Sequence, residues 1–245
     1  MEEQTYNRIQ PDLWIAGTRI TEPTIAFTSL IITLVCLYAW QRLRRTTADS
    51  PASRWTRAFF LLMGLSTLVG GLAGHAFLHL VPFYWKAPGW ILGMLASAAL
   101  AQATIEHART AVPAPWIRFF TVGNWVELVA AVVVVLSLFS FHFVEAHTAF
   151  DLLIVVGLLE AYLFRRTRHR GSAMSLMAIG LAVLAVLPHL FKYSPSPWFT
   201  YFDLGHILLC GTMWFFMRAA ELKEEFKSLK VCGLKAGLRA GVFGN

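Results

Sequence analysis

Apolar residues gather in seven long runs, at about 23–41, 57–83, 87–106, 116–141, 146–164, 172–191 and 198–219. Polar, charged, Pro or Gly residues bound each run. A helix needs about 20 mostly apolar residues to cross the hydrocarbon core of a bilayer. The pattern therefore predicts an all-α, polytopic seven-helix membrane bundle. Short connections make sequence neighbours antiparallel. Residues 1–22 read as an extracytoplasmic amphipathic lead-in containing Trp14. Residues 23–220 form the membrane domain. Residues 221–245 form a basic cytoplasmic tail, a short helix followed by a Gly-rich end. No internal repeat or low-complexity segment interrupts this organisation.

Composition agrees with the pattern. Of 245 residues, 57% are hydrophobic and 14% charged, against about 25% charged in soluble domains. The net charge of +7 raises the question of nucleic acid, and the placement of the charges answers it. Seventeen of the 21 Lys and Arg residues fall in the first, third and fifth loops and the tail. Arg8, Arg19, Lys86 and Lys192 lie on the other side. Cytoplasmic loops collect basic residues, so the N-terminus is expected outside, the C-terminus inside, and the protein in the cell (plasma or inner) membrane. The partner implied is lipid rather than nucleic acid. The first residues, Met1–Glu2–Glu3–Gln4, lack a basic signal-peptide region, so the first span is expected to direct insertion. Cys36, Cys210 and Cys232 have no metal or disulfide spacing.

Ionisable side chains are costly inside a membrane and need a partner or a purpose. On the orientation above, Glu22, His75, His79, His189, Asp203 and His206 share one outer layer. His206 lies about eight residues into the seventh run, roughly 12 Å deep at 1.5 Å per residue. His75 and His79, four apart, are expected on one helix face, as are Asp203 and His206, three apart. Such a set supplies ligands of the kinds zinc takes, with Asp203 or Glu22 accepting a proton from bound water. Other roles remain open for individual residues. Glu22 can cap the first helix, His79 and His189 can be interfacial, and Asp203 can pair with a histidine or Lys86. His142 and His147 flank an outer loop and are expected to be solvated. Asn124 and Glu127 share a face of the fourth helix, as a proton relay or a structural hydrogen bond. Glu160 is expected to meet Arg165 or another basic residue.

Three motifs then resemble the alkaline ceramidase-like superfamily, which includes ceramidases and the progestin and adiponectin receptors. They are Ile20–Thr21–Glu22–Pro23, Gly70–Gly71–Leu72–Ala73–Gly74–His75 and Asp203–Leu204–Gly205–His206–Ile207–Leu208. The resemblance implies zinc held by His75 and His206, a third ligand from His79, Asp203 or His189, and hydrolysis of a lipid amide or ester. The chain departs from that pattern at Gly71, where the family has Ser, at Lys86, in a region where it has Asp, and at Phe202, where it has His. These departures suit an alternative, a non-catalytic lipid-binding or receptor-like protein with a structural metal. A b-type haem held by two histidines is a third reading. Retinal is set aside because residues 198–217 contain no Lys. A transporter lacks a supporting repeat. Substrate identity and oligomeric state are left open.

Overall fold

The computed structural model describes residues 9–242, with side chains described through residue 225. Seven helices follow a short hairpin. The strands β1 (Leu13–Ile15) and β2 (Thr18–Ile20) pair antiparallel. Ala16 and Gly17 both take positive φ, as a two-residue type I′ turn requires. The lead-in expected at 1–22 is thus a β-hairpin in its second half.

The helices are α1 (Pro23–Thr46), α2 (Pro51–Ala76), α3 (Ala87–Ala108), α4 (Ala114–Leu138), α5 (Phe141–Thr167), α6 (Arg170–Phe191) and α7 (Tyr201–Val242). Among the described residues, the six helices before α7 are long and apolar enough to cross a bilayer. The expected seventh run falls on the first half of α7. The fold is all-α, with the apolar helices of a multi-pass membrane protein.

Helix starts follow local chemistry. Pro51 occupies the first turn of α2, and the Ser50 side chain accepts from Ser53 N; proline suits that turn because its missing N–H has no helical partner there. The second apolar run therefore becomes helical earlier than expected, and it also ends earlier. Gly70, Gly71 and Gly74 lie in a π segment, Gly70–Ala76. A 3₁₀ turn, Leu78–Leu80, follows before Pro82. His79 stands on that turn, exposed, so it does not share a helix face with His75.

The fifth run also starts earlier, at Phe141. Its middle, Phe150–Gly157, is a second π segment. The buried residues His147, Asp151, Val155, Leu159 and Leu163 recur every fourth position. Such a series drifts off one face of a 3.6-residue helix, and wider π turns take up the drift.

Helix α3 is the central element and packs against α2, α4 and α5, while α7 packs against α6 and α1. Small buried residues of α3, including Ala96, Ser97, Ala98, Ala99 and Ala101, let neighbouring backbones approach closely. On the outside, α4 exposes Val122, Val126, Val129, Val133 and Leu136, each by half or more. An apolar outer face of this extent suits lipid rather than water. At the basic end of the bundle, Glu221 bonds Arg42 and Arg218, Ser53 donates to Glu224, and Lys223 joins Glu160 and Ser175. These contacts pin the ends of α1, α2, α5, α6 and α7 together. Lys223 is thus the basic partner of Glu160.

Candidate functional site

The opposite end of the bundle holds the polar layer that the charge pattern predicts on the outer side. Glu22 precedes Pro23 and is left-handed, at φ 47° and ψ 54°. A non-glycine residue there costs on the order of 1–2 kcal/mol, and its surroundings must hold it. They do: the side chain is 3% exposed, and its Oε2 is 2.7 Å from His75 Nδ1 on α2. Thr21 N donates to Ala76 O at 3.0 Å, and Thr21 Oγ1 donates to His75 O. The Lys86 stem packs beside Gly74. No described residue bonds Glu22 Oε1, and none bonds His75 Nε2.

Asp203 is fully buried. Its Oδ2 accepts from Thr200 N at 2.7 Å, Thr200 Oγ1 at 2.9 Å and Gln10 Nε2 at 2.7 Å. Asp203 thereby caps the Thr200 N–H at the start of α7, the carboxylate half of a capping box. Asp203 Oδ1 accepts from Thr28 Oγ1 at 3.2 Å, and Thr28 Oγ1 is 2.8 Å from His206 Nδ1. Thr28 Oγ1 thus bridges His206 and Asp203, with its one proton also in reach of Thr24 O and Ile25 O. Gln10, itself buried, also donates to Trp198 O and accepts from Thr24 N and Ile25 N at the first turn of α1. It fastens the lead-in and the α6–α7 loop over this end. No sequence signal marked Gln10, because a lone amide in a polar lead-in looks solvated.

The layer thus brings Glu22 to His75, and Asp203 to His206. It does not join His79 or His189 to them. The His189 ring packs 5.0 Å from Phe202 and 5.2 Å from Tyr201, with Nε2 3.8 Å from Glu145. Phe202 packs edge-on against both His189 and His75, whose ring is 6.1 Å away. A Cβ on Gly71 would stand 2.9 Å from Ser29 Cβ, so Ser29 of α1 fills the space above that glycine.

A second polar cluster lies between α3, α4 and α5. His147, expected to be solvated, is fully buried. The earlier start of α5 carries it into the helix and turns it toward α3, while His142 remains 88% exposed. His147 Nδ1 is 2.6 Å from Glu127 Oε2 of α4. Its Nε2 is 3.1 Å from Ser97 Oγ, 3.1 Å from Met94 O and 3.3 Å from Asp151 Oδ2. Glu127, His147 and Asp151 offer ligand atoms all within 4.8 Å of one another and can hold a metal ion. Among the described residues no other group of three His, Cys, Asp or Glu is that close. Asn124 of α4 donates to Ala98 O at 3.1 Å, a structural bond between helices. The His147–Asp151 spacing of four was a legible signal, obscured by placing the span's start at 146.

The chain belongs to a family of unknown function, DUF6962, whose model matches residues 24–225. No curated protein and no solved structure matches it.

Proposed function

We propose that the protein spans the membrane seven times, N-terminus outside and C-terminus in the cytoplasm, and hydrolyses an amide or ester bond of a lipid at its outer layer. The basic-residue asymmetry supports the orientation. The resemblance to the ceramidase-like group suggests the reaction class. The observation that carries the reading is the Glu22–His75 pair, a buried carboxylate 2.7 Å from one ring nitrogen with the other ring nitrogen unbonded by any described residue.

That arrangement suits general-base catalysis. Glu22 holds the tautomer that keeps His75 Nε2 free, and stabilises the imidazolium once it forms. Nε2 takes a proton from water as the water oxygen bonds to the carbonyl carbon. The same proton then passes to the departing amine or alcohol as the C–N or C–O bond breaks. His206, oriented through Thr28 and Asp203, stands at the same end of the bundle. The zinc expected from the resemblance fits this layer poorly. Catalytic zinc takes three protein ligands, and although His75, His206 and Glu22 Oε1 all stand in this layer, no three of its described His, Cys, Asp or Glu side chains bring ligand atoms within 4.8 Å of one another. Asp203 is committed to four donors, and Phe202 packs against the rings of both His75 and His189. No catalytic step here is routed through a metal.

The test is release of fatty acid from lipid amides and esters by protein in nanodiscs. His75→Ala and Glu22→Gln should each reduce turnover, His75→Ala by about 10²-fold or more. Release that is unchanged in both variants defeats the proposal. The packing of Phe202 against two histidines favours a second reading, a non-catalytic lipid-binding or receptor-like protein. Lipid that co-purifies with the protein and is never turned over would support it.

A further inference from the structure

The cluster between α3, α4 and α5 gathers two carboxylates, a carbonyl and a hydroxyl around one buried imidazole. His147 has at most two ring protons. Four oxygens surround it: Glu127 Oε2 on Nδ1, and Ser97 Oγ, Met94 O and Asp151 Oδ2 around Nε2. Ser97 Oγ already donates to Met94 O at 3.0 Å, so its lone pairs face the cluster. Asp151 is fully buried, with His147 Nε2 3.3 Å from its Oδ2 and the Ser97 hydroxyl beside it, yet neither carboxylate oxygen makes a well-aligned hydrogen bond among the described residues. A buried carboxylate so weakly bonded is unfavourable in an apolar medium. Two carboxylates face a single imidazole, and a cation beside Nε2 would supply the missing counter-charge.

We propose that this cluster is a closed site for one divalent transition-metal ion of the zinc or manganese class. The ligands are His147 Nε2, an Asp151 oxygen, Ser97 Oγ and Met94 O. Glu127 does not ligate; it accepts from His147 Nδ1–H and fixes the ring, as carboxylates do behind metal-bound histidines. The charges balance, because Asp151 and Glu127 together neutralise a 2+ ion within the membrane. An imidazole ligand disfavours magnesium and calcium, and the oxygen ligands disfavour soft copper(I). Ser97 is 2% exposed and His147 1%, so the site is closed to solvent, which is the mark of a structural rather than a catalytic ion. The ion ties α3 to α5 directly, and α4 through the Glu127–His147 bond, at the point where α5 widens into its π segment, whose second residue is Asp151. The site stands apart from the outer layer and does not rest on the hydrolase reading.

The experiment is elemental analysis of detergent-purified full-length protein, with thermal unfolding before and after chelation and after adding Zn²⁺ or Mn²⁺. The parent should carry about one ion per chain, melt lower after stripping, and recover when metal is restored. Asp151→Asn, close to isosteric, should lose the ion and the metal-dependent shift while remaining helical. His75→Ala and His206→Ala should keep both. If Asp151→Asn does not fold, Ser97→Ala, which removes one neutral ligand, should weaken Zn²⁺ binding by tenfold or more. A parent without metal that also shows no shift on adding either ion overturns the proposal. So does an ion retained by both Asp151→Asn and Ser97→Ala, or one lost from His206→Ala.

Discussion

Replacing Asp203 with alanine separates the structural work of this residue from any catalytic work. Four donors point at its carboxylate: Thr200 N, Thr200 Oγ1, Gln10 Nε2 and Thr28 Oγ1. The two hydroxyls can rotate to other acceptors. Thr28 has Thr24 O and Ile25 O within 3.1 Å. The Thr200 backbone N–H cannot move, and one Gln10 N–H loses its acceptor while the amide keeps Trp198 O. Each orphaned buried donor costs about 1–3 kcal/mol, so Asp203→Ala should cost about 2–6 kcal/mol. In Asp203→Asn the amide oxygen can take the place of Oδ2 and keep three donors, and the NH₂ can then donate to Thr28 Oγ1. What is lost is the charge, which roughly halves the strength of these bonds, so the cost should be about 1–2 kcal/mol. Unfolding in detergent, followed by circular dichroism, reads both. An Asp203→Ala protein within about 1 kcal/mol of the parent would refute the capping account. Asp203→Asn that folds like the parent but loses fatty-acid release would show that the charge serves the His206–Thr28 bridge as well as the cap.

Three further outcomes follow from particular contacts. Lys223→Met should destabilise by about 3–5 kcal/mol, because it strands fully buried Glu160, and Lys223→Met with Glu160→Leu should recover most of the loss; a double variant no better than the single one in the same unfolding assay defeats this. Gly71→Ala drives a Cβ to 2.9 Å from Ser29 Cβ, whereas at Gly211 the 2.6 Å contact is the rotatable end of Leu181. Gly71→Ala should therefore cost about 1–3 kcal/mol and Gly211→Ala less, and equal melting temperatures for the two would contradict the close approach of α1 and α2. In a cysteine-free background, Ser194→Cys, at an exposed position of the α6–α7 loop, should react with a membrane-impermeant thiol reagent added to intact cells and Arg165→Cys should not; the reverse pattern overturns the orientation.

Hydropathy made the helical fold, with helices apolar enough to cross a membrane, legible, because it is a property of short stretches of chain. An apolar run must be buried in something, whatever the tertiary packing. The same local logic marked Glu22, His75, Asp203 and His206 as polar groups at one end of the bundle. Pairing needed the three-dimensional structure. Glu22 meets His75 because a left-handed residue turns the chain at Pro23. Asp203 reaches His206 only through Thr28 of another helix, and Gln10 enters from a hairpin that periodicity cannot detect. The π segments moved the boundaries furthest. Three glycines in the first end α2 at Ala76 and leave His79 outside it, while the second keeps Val155, Leu159 and Leu163 in line with His147 and Asp151 on a face that 3.6-residue spacing cannot maintain. The Glu127–His147–Asp151 cluster, spread over two helices and closed by α3, is therefore a product of packing. Its members are ordinary polar residues in the sequence until three helices exclude water around them.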